Sequence, residues 1–114
     1  MRNYYFLEYG SSKCVSVVEN DLEERFKLEF NKHGDHLLGS CINYSGKYAD
    51  QMLIKQNLYG EEWQYPEHKE YETIVAISFV EGRDKEKMNK IETIKKWFTE
   101  LEHVQLLKEE TLKG

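Results

Sequence analysis

The side chains in this sequence with the means to do chemistry are few, and the first to weigh are its four histidines and two cysteines. His33 and His36 stand three apart, Cys41 follows five further on, and Cys14 is distant. Such ligands could close a tetrahedral zinc site. Zinc modules usually draw their ligands from two short Cys/His pairs, however, and only His33/His36 makes one. A polar hairpin turn holding the histidines, with cysteines as small core residues, explains the same pattern more simply.

Nucleophilic catalysis needs a hydroxyl or thiol beside a base, on backbone that exposes it. Ser40-Cys41 follows Gly39, with His33 or His36 as the nearest bases, but no nucleophile-elbow glycine pattern accompanies them. Carboxylate pairs are plentiful: Glu23-Glu24, Glu61-Glu62, and Glu67 with Glu70. General acid–base work requires one such carboxyl in an apolar pocket with its pKa raised, and acid-rich stretches are more often solvated faces. No glycine-rich loop joins a strand to a helix, so a phosphate cradle is not indicated; Glu81-Gly82-Arg83 has a single glycine. The balance is against an enzyme, and no cofactor or metal is implied.

Gly60 to Glu72 differs in character from the rest. It holds the only proline, five acids, one lysine and the aromatics Trp63, Tyr65 and Tyr71, with no apolar period that a core would require. It reads as a long loop. Tyr and Trp bury large area at low entropic cost and dominate binding hot spots. Carboxylates around them would speed encounter with a basic partner. The expected interface is therefore Glu61, Glu62, Trp63, Tyr65, Glu67 and Tyr71, joined by the acidic turn Glu19 to Glu24. Capping of the sheet by Trp63 and Tyr65 is the plainer alternative.

The elements that must position this loop follow from pattern. Thr73 to Val80 is a β-branched, nearly continuous apolar run, as expected of an interior strand covered on both faces. From Asp84 to about His103, Met88, Ile91, Ile94, Trp97, Phe98 and Leu101 recur at helical steps, with Asp84 as N-cap and Glu86 suited to the helix dipole. Of Trp97 and Phe98, one should be fully buried and the other partly. Asn3 to Tyr9 reads as a strand, Gly10-Ser11-Ser12 as a turn and Lys13 to Val18 as its hairpin partner, broken at Glu19-Asn20-Asp21. Leu22 to Lys32 has both helical and alternating features and is read as a strand; the turn Asn31 to Asp35 leads to a return strand, His36 to Tyr44. Tyr48 to Tyr59 fits either a helix or a strand. Val104 to Leu107 is expected as an edge strand, and Glu109 onward as a frayed tail.

The fold expected is α+β: an antiparallel sheet of about five strands packed against a C-terminal amphipathic helix, in one domain spanning 1–114 with 109–114 frayed. A chain of 114 residues has no spare length for a second core. Met1-Arg2-Asn3 leads straight into strand-like residues without a secretory pattern, so the cytoplasm is the expected compartment, with reduced, buried cysteines. No apolar run reaches membrane-span length.

Net charge is −5, unevenly spread. Arg83 to Lys96 carries six basic residues against three acidic ones on an otherwise acidic chain. Binding nucleic acid through an extensive basic surface is disfavoured, and neither it nor a membrane is an expected partner. The function expected is a small acidic protein that inhibits or neutralises a basic protein partner, in the manner of an inhibitor or of a toxin-immunity protein shielding a nuclease. The alternative is a small enzyme or ligand-binding domain with a cavity between sheet and helix. A third reading is a homodimeric module joined through an exposed sheet edge.

Overall fold

A computed structural model describes residues 3–35, 39–59 and 61–113. Its main sheet has six strands: β1 (Asn3–Ser11), β2 (Asn31–Asp35), β3 (Gly39–Tyr44), β4 (Gln51–Gln56), β7 (Thr73–Phe79) and β8 (Val104–Lys113). Two helices complete the fold, α1 (Val15–Phe26) and α2 (Asp84–Thr99), and two-residue strands β5 (Leu58–Tyr59) and β6 (Glu62–Trp63) form a small separate pair. The strands run in the order β2-β3-β4-β7-β1-β8 with every neighbouring pair antiparallel. Strands β1 and β2 are therefore parallel to each other across α1, as are β7 and β8 across α2. The class is α+β, as the sequence indicates, with the C-terminal helix packed on the sheet.

The core is a set of aligned rows. Leu7 stands opposite Ile77, which stands opposite Met52; Tyr9 aligns in the same way with Val75 and Ile54. All six are buried and face the helices. From α1 come Val15, Val18 and Leu22, and from α2 come Ile91, Ile94 and Phe98, with Leu101 just beyond. The Phe98 ring lies 4.3 Å from that of Tyr9. Trp97 is only partly buried and stacks on Phe26 of α1 at 4.7 Å, with Tyr48 edge-on at 4.6 Å, so the two helices share one face of the sheet.

Several local expectations are corrected. Lys13–Val18 is not a hairpin strand, and Glu19-Asn20-Asp21 does not break it: α1 begins at Val15, after Cys14 as N-cap, and runs on through Asp21. Val15, Val18, Leu22 and Phe26 form a helical stripe, and burying it outweighs the strand preference of three valines. The helix ends at Lys27, whose left-handed backbone (φ 58) lets its N–H reach the carbonyl of Glu23. The expected turn Asn31 to Asp35 is itself strand β2, and Leu22–Phe26 is helical. Tyr48–Tyr59 resolves as strands, chiefly β4. Residues 109–113, read as a frayed tail, complete β8 and pair with β1 as far as Lys113. Cys14 is exposed rather than buried, at the start of α1.

On α2, Met88 is exposed and Lys87 takes its place in the buried stripe. The Lys87 ammonium donates to the Asn3 carbonyl at 2.7 Å, lies 3.8 Å from Asp84 and sits 5.5 Å from the centre of the Tyr4 ring. Asp84 does not cap the helix; Arg83 holds that position, and the Asp84 carboxylate instead accepts from the backbone and side-chain N–H groups of Asn3. The polar turn before α2 is built as expected around Gly82, whose φ of 89° suits glycine. Asp50 secures it by accepting from the N–H groups of Val80 and Glu81.

Because Phe98 is the helix residue set deepest against Tyr9, Phe98→Ala should cost about 3–5 kcal/mol through lost burial and a residual cavity. Urea unfolding reads this directly, and an unchanged midpoint would show that α2 does not contribute to the core as described.

Candidate functional site

Strands β4 and β7 are adjacent and antiparallel, yet residues 57–72 separate them. This excursion lies on the sheet face opposite the helices. It contains the β5–β6 pair and a 3-10 turn, Pro66–His68. Its organiser is Asn57, which is fully buried. The Asn57 backbone N–H donates to the Glu72 carbonyl at 2.8 Å, and its carbonyl accepts from Gln64 at 2.7 Å. The side-chain oxygen accepts from the Tyr65 N–H at 2.8 Å, and the side-chain nitrogen donates to the carbonyls of His68 (2.8 Å) and Tyr71 (2.9 Å). Two acceptors against the nitrogen and one donor against the oxygen fix the orientation of the amide. One side chain thus replaces the ladder bonds that the looping backbone forgoes.

Two tyrosines fasten the excursion to the sheet. A Cβ on Gly10 of β1 would lie 2.6 Å from Tyr71 Cγ and 2.8 Å from Leu107 Cδ1, so only glycine admits the Tyr71 ring there. The Tyr71 hydroxyl donates to Gln105 Oε1 at 2.8 Å. Tyr65 hydrogen-bonds the Glu8 carboxylate of β1, and the Lys55 ammonium lies 5.5 Å from its ring centre. Burial first, and Glu8 second, push the Tyr65 phenol up to about 12 from 10.0. Tyr9, on the opposite face, is also pushed up to about 12, by burial and then by Glu109.

Trp63 is turned elsewhere. With Ser12, Gln56, Leu58, Lys69, Glu70 and Glu72 it lines a groove of about 420 Å³. The Lys69 ammonium lies 5.9 Å from the centre of the Trp63 ring. Of the six expected interface residues, the three aromatics are all partly buried, Trp63 lining the groove and Tyr65 and Tyr71 set towards the sheet, while Glu61, Glu62 and Glu67 are exposed elsewhere on the excursion. Gly60 lies outside the described residues. Ser12, Gln56 and Leu58 join the groove from the ends of the flanking strands, and no spacing in the sequence announces them. A smaller groove of about 190 Å³, on the sheet face away from the helices, is lined by residues including Phe6, Gln51, Leu53 and Ala76.

The other chemical candidates resolve less well as sites. His33 and Cys41 stand opposite each other in the β2–β3 pair, while His36 lies outside the described residues. Ser40 and Cys41 lie within β3. Among the described residues, no three His, Cys, Asp or Glu are gathered as a metal would require.

One polar chain escaped sequence reading because its members are 10 and 82 residues apart. Ser11 Oγ lies 2.7 Å from His103 Nδ1, and His103 Nε2 lies 2.6 Å from Asp21 Oδ2. These are the residue types of a hydrolase triad, but the ring nitrogens are exchanged relative to the usual arrangement. Ser11 is fully buried, and its oxygen also accepts the Lys13 N–H at 3.1 Å. The chain therefore ties β1, α1 and the start of β8 together and presents no nucleophile. No family model matches this protein, and no curated protein matches it in sequence.

Two outcomes follow from this geometry. Asn57→Ala removes three side-chain hydrogen bonds and strands the Tyr71 carbonyl and the Tyr65 N–H, while the His68 carbonyl keeps the Tyr71 N–H, at a cost of about 3 kcal/mol. Limited proteolysis should then cut within 57–72 ahead of global unfolding, and Asn57→Asp, which sets a carboxylate against those carbonyls, should be no better; unchanged protection would remove Asn57 as organiser. The second outcome concerns alkaline pH. With folded values near 12 against 10.0 unfolded, the native state holds the Tyr9 and Tyr65 protons more tightly. Their contribution to stability is complete below pH 10 and is lost as pH rises through about 12. In a tyrosinate absorbance titration these two should ionise late, and Tyr65→Phe should delete one late component.

Proposed function

We propose that this protein captures a basic protein partner through its 57–72 excursion and blocks it, as an inhibitor or a nuclease-shielding immunity protein does. The observation carrying this reading is the locking of an acid-rich, aromatic segment by Asn57. Between Glu61 and Glu72 the excursion bears five carboxylates against one lysine, and Glu61, Glu62, Glu67, Glu70 and Glu72 are all exposed. A segment held this firmly loses little conformational entropy on docking, which improves affinity without new contacts. The exposed carboxylates add electrostatic steering, and Trp63 beside the groove supplies an anchor of the kind that dominates interfaces.

A homodimer is the second reading, favoured by the position of β8. It is an edge strand with Leu106 and Leu112 exposed. Its Lys108, Glu109, Glu110 and Lys113 are of the charged type that discourages edge-to-edge pairing, which sets this reading behind the first. The cavity between sheet and helix draws no support from the two grooves described above: the smaller opens on the sheet face away from the helices, and the larger lies at the strand ends beside the excursion.

The test has two stages. Affinity capture from the native host should retain a basic protein on the wild-type chain and lose it on a Glu61→Gln/Glu62→Gln/Glu67→Gln bait. The purified partner should then lose its own activity on stoichiometric addition of this protein, with an association rate that falls as salt rises. A retained protein whose activity is untouched, or recovery of identical proteins by both baits, would defeat the proposal.

A further inference from the structure

We infer that the groove beside Trp63 is a receptor for a single guanidinium side chain of the partner, and that Lys69 holds its place in the free protein. The inference rests on the basic-partner reading and adds the chemical group that is recognised. Lys69 is an exposed residue, yet its ammonium lies over the Trp63 ring, 5.9 Å from the centroid. Both residues line the same groove, and Glu70 and Glu72 border it. A cation over an indole face is attracted by the negative face of the ring, so the internal lysine occupies the position that an external cation would seek.

The walls of this groove are fixed before any partner arrives. Glu72 begins beside β7, with its carbonyl held by the Asn57 N–H at 2.8 Å. Trp63 belongs to the β5–β6 pair, where it stands opposite Leu58. The volume, about 420 Å³, lies at the lower end of the range of small-ligand sites, which suits one long side chain better than a folded segment.

The choice between the two basic side chains follows from the placeholder. An incoming ammonium would exchange with a like group and gain little. A guanidinium is planar, weakly hydrated and able to stack on an aromatic ring while its edge donates two parallel hydrogen bonds to a carboxylate. Trp63 supplies the face, and Glu70 or Glu72 supplies the acceptor. Arginine should therefore displace Lys69, which swings out to solvent on its flexible stem at small cost, since the segment behind it stays fastened by Asn57.

The experiment uses the full chain at low ionic strength with fluorescent oligoarginine and oligolysine peptides of equal length, read by anisotropy. Wild type should bind oligoarginine about five-fold or more tightly than oligolysine, in keeping with one stacked cation. Lys69→Met should strengthen oligoarginine binding several-fold by vacating the ring. Trp63→Leu should abolish the preference while both peptides still bind, and Trp63→Phe should retain part of it. Circular dichroism and the unfolding midpoint verify that each variant is folded. Equal affinities in wild type, a preference that survives Trp63→Leu, or weaker oligoarginine binding by Lys69→Met would each overturn the groove assignment. Equal binding that is lost with Glu61→Gln/Glu62→Gln/Glu67→Gln would leave the acidic docking surface standing without the groove. Failure of both peptides to bind would remove the basic-partner reading and this inference together.

Discussion

Strand β7 lies between β4 and β1 and buries Val75, Ile77 and Phe79 on one face and Ile74 on the other. A strand this apolar must be covered on both sides, and the two covers are made differently. On the first face the helices supply interdigitating side chains, chiefly Val18, Leu22, Ile94 and Phe98, whose backbone polar groups are satisfied within each helix. On the second face the cover is a largely irregular segment whose internal ladder is only the two-residue β5–β6 pair. Its backbone needs outside partners, and Asn57 provides them. Where the excursion sits, and therefore where Trp63 and the carboxylates lie, depends on that buried amide together with the seats of Tyr65 and Tyr71 on the sheet.

The same economy recurs at other buried polar positions. Lys87 is fully enclosed and joins α2 to the first residue of β1 through the Asn3 carbonyl. Ser11, His103 and Asp21 join the far end of β1 to α1 and to the start of β8. Such groups add little net stability, since each gives up hydration to be buried, but any other arrangement would leave them unpartnered. They fix register. The long pairing of β1 with β8, interrupted by a shift between Glu8 and Tyr9, is held in this way at both ends of β1.

The basic side chains of α2 and the carboxylates of the excursion lie on different covers, although α1 adds carboxylates of its own to the helical side. Arg83, Lys85 and Lys96 are exposed on or beside α2, with Lys95 paired to Glu109 at 2.7 Å, whereas the exposed charges of the excursion are mostly carboxylates on the other side of the sheet.

How much of this was legible beforehand depends on whether the signal was local. The apolar run Thr73–Val80 and the stripe through Ile91, Ile94, Phe98 and Leu101 specify a central strand and a covering helix by themselves, because their periods leave few ways to hide the same side chains. The odd composition of Gly60–Glu72 likewise marked the segment apart from the core. The identity of 15–26 was not local. Its valines favour a strand, and a helix prevails only because Val18 and Leu22 have the β4 side of the sheet to fill. Strand β8 reaches Lys113 because β1 offers it a free edge, which Glu109 and Glu110 give no hint of on their own. Burial of Lys87 in place of Met88 required a carbonyl at the start of β1 to receive its ammonium. Within the excursion, composition could name Trp63, Tyr65 and Tyr71 but could not sort them. Gly10 opened a seat for the Tyr71 ring and Glu8 accepted the Tyr65 hydroxyl, while Trp63 was left facing Lys69 across the groove. Those partners lie on strands far away in sequence, so only the tertiary structure decided which aromatics pack on the sheet and which one lines the groove.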